Sequence, residues 1–181
     1  MWVFLIIVLV VVGLGVLIYN SLVQMREHVD SSWSDIDVQL KRRHDLVPNL
    51  VETVRGYASH ERETLEGVIR ARNAAMSASG PEDQAKAENQ LSGALRQIFA
   101  LSESYPQLQA AENFRDLQQT LKQLEDSIQR ARGSYNNQVR EYNTKIRSVP
   151  SNIVANAFSF RPREFFEIEE AAREVPRVSF D

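Results

Sequence analysis

Residues 19–57 read YNSLVQMREHVDSSWSDIDVQLKRRHDLVPNLVETVRGY, and one heptad frame runs through all of them. Tyr19, Leu22, Arg26, Val29, Trp33, Ile36, Leu40, Arg43, Val47, Leu50, Val54 and Tyr57 follow in alternating steps of three and four, the spacing that lines one face of an α-helix. Arg26 and Arg43 are the charged exceptions on this seam. A charge in a core position is costly unless it is met, so Arg43 is expected to have a carboxylate partner, with Asp45 or Glu61 as candidates. Pro48 has no amide hydrogen and crowds the turn before it. It predicts an interruption over Asp45-Leu46-Val47-Pro48, with a second helix starting there and running to about Ser77. The alternative keeps both helices as one kinked rod and leaves Trp33, Ile36 and Leu40 to a partner such as another subunit.

N-terminal to this stretch, Trp2 through Ile18 is unbroken in apolar residues and glycine, and no charge appears before Arg26. About 17 residues at ~1.5 Å each reach roughly 26 Å, the short end of what crosses a hydrocarbon core. A buried core helix would keep a polar face, and this segment has none. A cleaved signal would carry Lys or Arg ahead of the apolar run and small residues at the cut, whereas Ile18-Tyr19-Asn20 is a poor cleavage site. Residues 1–19 are therefore expected to be a transmembrane anchor, with Tyr19 at the interface. Arg26, Lys41, Arg42 and Arg43 all follow the anchor, which favours an outside N-terminus and a cytoplasmic domain over a periplasmic one.

C-terminal to it, Ala78-Ser79-Gly80-Pro81 is a helix breaker with Pro81 placed to open the next helix. That helix uses Leu91, Leu95, Ile98, Leu101 and Tyr105, and stops at Pro106. A last helix from about Asn113 carries a seam of Phe114, Leu117, Leu121, Leu124, Ile128, Ala131, Tyr135, Gln138 and Tyr142. Its frame does not extrapolate back through Leu95, Ile98 and Leu101, so a true break near Pro106 is expected. Helices over 20–45, 47–77, 82–105 and 111–147, joined by short connections, suit an antiparallel up-and-down four-helix bundle over residues 20–148. The fold class is all-α. After Val149-Pro150 the tail, residues 149–181, mixes apolar residues with prolines and charges. Phe158, Phe160, Phe165 and Phe166, with Val178 and Phe180 further on, are expected to pack on the bundle or near the membrane, because an up-and-down bundle returns the chain to the anchor's end.

The 181 residues carry a formal net charge of −3 and no cysteine. The balance points to no nucleic-acid partner, and the missing thiols exclude disulfides, zinc–thiolate sites and iron–sulfur clusters. His60-Glu61-Arg62-Glu63-Thr64 starts like a zinc-protease helix but lacks the second histidine one turn on. His28, His44 and His60 recur every 16 residues, which turns successive rings by ~160° even on a continuous helix. Asp35 and Asp37 stand two apart, on different faces, and the Glu-x-x-His pairs of di-iron bundles do not occur. No catalytic, cofactor or metal residues are assigned. The candidate interaction surface is Trp33 with Lys41, Arg42, Arg43, Asp45 and Pro48. Its plainer interpretation is a core tryptophan and a solvated helix end.

Several blocks resemble the LemA family of bacterial membrane proteins. They are Tyr19-Asn20-Ser21-Leu22-Val23, the long run from Trp33 to Val51 that includes Lys41-Arg42-Arg43-His44-Asp45-Leu46-Val47-Pro48, Gly56-Tyr57 and His60-Glu61. Tyr105-Pro106, Asn113-Phe114, Tyr135-Asn136, Tyr142-Asn143, Pro150-Ser151 and Val175-Pro176-Arg177-Val178-Ser179-Phe180 add to these. The resemblance covers essentially the whole chain. It implies an N-terminal anchor followed by an antiparallel four-helix bundle and points to no catalytic role; magnetosome membranes are among the places its members occur. The expectation is a non-enzymatic scaffold in the bacterial plasma (inner) membrane, self-associating as a homo-oligomer, with the lipid bilayer as partner. An adaptor or sensor gripping an envelope or signalling protein through the region from Arg42 to Pro48 is the rival.

Overall fold

Pro48 does not end the first helix. The computed structural model, which describes residues 1–166, carries α1 unbroken from Trp2 to Tyr57 with Pro48 inside it. A proline there leaves the carbonyl of residue 44 without its usual amide, and Arg72 supplies the substitute: its Nε donates to the His44 carbonyl oxygen at 2.7 Å. Arg72 comes from α2 (Arg62–Ser77), reached through a short turn at 58–61. The interruption expected over Asp45–Pro48 is thus displaced to Ala58–Glu61, because a side chain from the next helix satisfies the acceptor that the proline strands.

The other breaks fall at their glycines and prolines. Gly80 holds φ at +82°, a conformation that suits a residue without a Cβ, and Pro81 then opens α3 (Pro81–Ser102). Tyr105-Pro106 separates α3 from the short α4 (Pro106–Ala110), and α5 runs from Glu112 to Arg147. After a cis Val149–Pro150 bond, α6 spans Ser151–Ala157. No strand occurs among the described residues. The closing residues Val178 and Phe180, with the 175–180 block, lie outside the described residues.

The chain divides into two compact units. The first joins residues 1–40 to 127–165. Its α1 seam buries Leu22, Val29, Ile36 and Leu40, and its α5 portion buries Ile128, Tyr135, Val139, Tyr142 and Ile146. Ala131 and Gln138 of the expected frame are only half-buried, while Arg132 and Val139, one position on, take the inner places. A straight helix drifts ~20° per heptad against a strict seven-residue repeat, which accounts for the slip. The apolar run from Trp2 to Leu17 buries almost nothing of itself: Trp2 is 79%, Leu9 73% and Leu17 66% exposed. Among the described residues, α1 is the one helix long and apolar enough to cross a membrane.

The second unit contains residues 41–126 and Phe166. Its core draws Val47, Leu50, Val51 and Val54 from α1, Leu65 and Val68 from α2, Leu91, Leu95 and Ile98 from α3, Leu108 from α4, and Phe114 and Leu121 from α5. Phe99 meets Phe114 edge-on at 6.4 Å. Burial of these apolar faces is what holds helices too short to persist alone, such as α4.

Arg72→Met should cost about 1–3 kcal/mol in chemical unfolding of the detergent-solubilised chain, the range for a charged donor lost from a shielded acceptor. In a Pro48→Ala background, where residue 48 regains its amide, the same change should cost clearly less. Equal losses in both backgrounds would refute the substitution of one donor for the other.

Candidate functional site

Arg43 is 2% exposed and organises a buried ionic cluster within the second unit. Its Nη2 donates to Glu88 Oε2 at 2.6 Å and to the Glu88 carbonyl at 3.0 Å. Its Nη1 donates to Ser92 Oγ at 3.1 Å and to Glu125 Oε2. The neighbouring His44, also buried, places Nε2 at 2.6 Å from Glu88 Oε1, and Gln84 Nε2 donates to that same oxygen at 3.0 Å. Arg43 Nε has no partner among the described residues. Both oxygens of Glu88 are therefore engaged by three side chains, as a carboxylate that is 4% exposed requires.

The carboxylates that meet Arg43 are Glu88 and Glu125, not Asp45 or Glu61. Asp45 lies two residues on, ~200° round the helix, and is exposed. Glu61 instead accepts from the Tyr105 hydroxyl at 2.9 Å, a bond that raises the Tyr105 pKa. Glu88 was legible in one respect: it stands on the apolar face of α3 with Ala85, Leu91 and Leu95. A carboxylate out of place on one seam and an arginine out of place on another are natural partners. Of the residues expected at an interaction surface, Lys41, Arg42, Asp45 and Pro48 are exposed, whereas Arg43 is withdrawn into the core and offers no contact surface. Trp33 belongs to the first unit, half-buried, its ring 5.4 Å from that of Tyr135. Beside Arg43 a cleft of about 800 Å³ is lined by Leu95, Phe99 and Leu121, with the cations Arg96, Arg115 and Lys122 and the carboxylates Glu125 and Asp126 around them. Among the described residues no group of three or more His, Asp or Glu side chains is placed to hold a metal ion.

In the first unit the segment after α6 is fastened by side chains of α1 and α5. Asn143 uses both ends of its amide: Nδ2 donates to the Arg163 carbonyl and Oδ1 accepts from the Arg163 amide, each at 2.9 Å. The Arg163 guanidinium grips both oxygens of Asp30, at 2.9 and 3.0 Å. The Tyr135 hydroxyl donates to the Glu164 carbonyl at 2.8 Å. Burial pushes the Tyr135 phenol up to about 12, opposed by Arg163 and assisted by Glu164 and Asp30; burial raises Tyr142 as well. Phe158 and Phe160 lie against Tyr19, with centroids at 4.8 and 5.7 Å, and the Arg26 guanidinium sits over the Phe160 ring at 5.6 Å. Phe165 is half-buried; Phe166, which belongs to the second unit, is buried.

An exposed apolar helix continuing without a break into an all-α body defines a membrane-associated helical protein. The model of the LemA family matches residues 32–180, most of the chain, and the chain belongs to that family. It is 25% identical to magnetosome protein MamQ 2 of Paramagnetospirillum magneticum over 89% of its own length and 68% of that relative. The same figures hold for magnetosome protein MamQ of Magnetospirillum gryphiswaldense. Protein LemA of Metamycoplasma hominis is also 25% identical, over 90% of this chain and 73% of that one. None of these names is that of an enzyme.

Arg43→Met should lower unfolding stability by about 3–5 kcal/mol, because it leaves the buried Glu88 without its main partner while Glu125 can turn to water. Adding Glu88→Leu should recover part of that loss; an Arg43→Met variant as stable as the parent would remove the cluster's structural role. The raised Tyr135 gives a second expectation. Its proton is held more tightly in the fold than in the unfolded chain, where the phenol has its ordinary value of 10.0. The associated stabilisation is complete below pH 10 and is lost as pH climbs towards 12, a decline on the order of 2 kcal/mol. Tyr135→Phe should flatten that decline in melts taken across the alkaline range.

Proposed function

We propose that this protein is a non-enzymatic scaffold, anchored by residues 1–19 in the bacterial inner membrane, that self-associates and organises the membrane around it. Residues 20–148 form the antiparallel four-helix body and residues 149–181 a tail folded onto it or onto the membrane. The N-terminus faces outward and the body the cytoplasm, in keeping with the basic residues that follow the anchor. The observation that carries the proposal is the uninterrupted α1: the segment exposed for lipid and the spine of the body are one helix. Family membership and relatives named as magnetosome proteins support an organising role. Among the residue types that chemistry would need, Arg43, His44 and Glu88 are bonded to one another and Glu61 to Tyr105, which supports a structural role for these four.

A second reading is an adaptor that receives a partner protein. The cleft beside Arg43 is the observation in its favour: Glu125 is held by Arg43, and Arg96, Arg115 and Lys122 then outnumber Asp126, so its charge suits an acidic apolar segment.

Single-molecule photobleaching of the labelled full-length chain in supported bilayers separates the two. Multi-step traces whose step number rises with protein density are expected of the scaffold. Single-step traces at every density would overturn self-association, and capture of one other protein by crosslinkers at Arg96 and Lys122 in cells would then favour the adaptor.

A further inference from the structure

Three large apolar side chains in and around α6 stand exposed. Val149 is 78%, Ile153 68% and Phe158 62% exposed. Phe158 touches Tyr19, the residue at which the apolar run ends. The seven residues of α6 make it about 10 Å long at ~1.5 Å per residue, so the whole of α6 lies within a short reach of that point. Ser151 and Ala155 are buried, which fixes the opposite side of α6 against the protein and leaves Ile153 facing away. The loop is not loosely placed. Phe160 N donates to the Ala155 carbonyl at 2.9 Å and Ser159 adopts φ of 58°, the left-handed closure of a Schellman-type helix end, and both flanking phenylalanines reach Tyr19 because of it.

The charges beside this patch have one sign predominating. Arg26 stacks on Phe160, while Arg147 and Arg161 are exposed and form no ion pair among the described residues. Of the acidic residues nearby, Glu27 is paired with Arg26 at 3.5 Å and Asp30 with Arg163, while Glu164 is exposed. Apolar side chains with guanidinium groups that form no ion pair among the described residues, near the point where the apolar run of α1 ends, match the layering of a bilayer: acyl chains first, then phosphates.

We infer that the α6 segment is a second membrane contact, in which Val149, Ile153 and Phe158 enter the headgroup layer and Arg147 and Arg161 hold anionic lipid phosphates. It rests on the anchor assigned above, and it adds a lipid preference that the anchor alone does not give. A single helix fixes depth and leaves rotation about its axis free; a second contact beside it fixes which face of the body is turned to the lipid.

The chain has no cysteine, so spin labels can be placed singly by Ile153→Cys, Phe158→Cys and, for the anchor, Val10→Cys. The full-length chain is reconstituted in vesicles of neutral phosphatidylcholine alone or with phosphatidylglycerol, and each label's accessibility to oxygen is compared with that to an aqueous nickel reagent. Labels at 153 and 158 are expected to favour oxygen, several-fold more so in the anionic vesicles. Arg147→Gln with Arg161→Gln should remove the difference between vesicle types. Nickel-accessible labels at 153 and 158 with a lipid-buried label at 10 would overturn the inference and leave the anchor standing; a nickel-accessible label at 10 would overturn the anchor itself. Equal depth in both vesicle types for the parent chain would refute the hold on anionic phosphate.

Discussion

A carboxylate withdrawn from water must have its charge and its lone pairs answered, and Glu88 is answered by the first helix. Arg43 and His44 are consecutive residues of α1, and they take one oxygen each. On a helix, adjacent residues point ~100° apart, so only a group seated between their two directions can receive both. That geometry fixes where α3 can lie against the lower part of α1, and with it the rotation that turns Ala85, Leu91 and Leu95 inward. Ser92 and Glu125 complete the same cluster from α3 and α5. Apolar packing supplies most of the favourable energy but has little directional preference; the ionic cluster selects one alignment among those the apolar faces would tolerate.

The same turn of α1 serves a second purpose. His44 presents its ring to Glu88 and its carbonyl to Arg72. Pro48 is what releases that carbonyl from the helix ladder. A residue that would weaken an isolated helix thereby becomes a docking point for α2, and Gln84 joins the end of α2 to the cluster by donating both to the Ala75 carbonyl and to Glu88. Local disfavour and tertiary gain are coupled through one oxygen atom.

How much of this could be read from the sequence varies with the range of the interaction. The apolar run, the heptad seam, the helix start at Pro81 and the break at Pro106 depend on neighbours in the chain and were legible there. The fate of Pro48 was not, because it depends on Arg72, far along the chain, and nothing local sets Arg72 apart from Arg62 and Arg70 on the same helix. Arg43 announced that it needed a carboxylate; which one was decided by the packing of α3 and α5. Tyr135 and Tyr142 were legible as seam positions of the last helix, whereas Asn143 stood out only through resemblance, and the structure gives Tyr135 and Asn143 a further task, since they fasten residues 163–164. The polar groups of an extended segment have no periodicity for a sequence to display.

Asn143 has a consequence of its own. A primary amide that donates to one backbone group and accepts from another of the same residue reproduces a rung of a β-ladder, built from a side chain in a protein whose described residues contain no strand. Aspartate has the shape but not the donor, and glutamine has the donor but an extra methylene. Hydrolysis of that single amide, the ordinary ageing reaction of asparagine, would put a negative oxygen where the Arg163 carbonyl now accepts a hydrogen. The latch on this segment thus has a shelf life set by covalent chemistry, and the dense helical surroundings of Asn143, which hinder the backbone attack that begins the reaction, are what lengthen it.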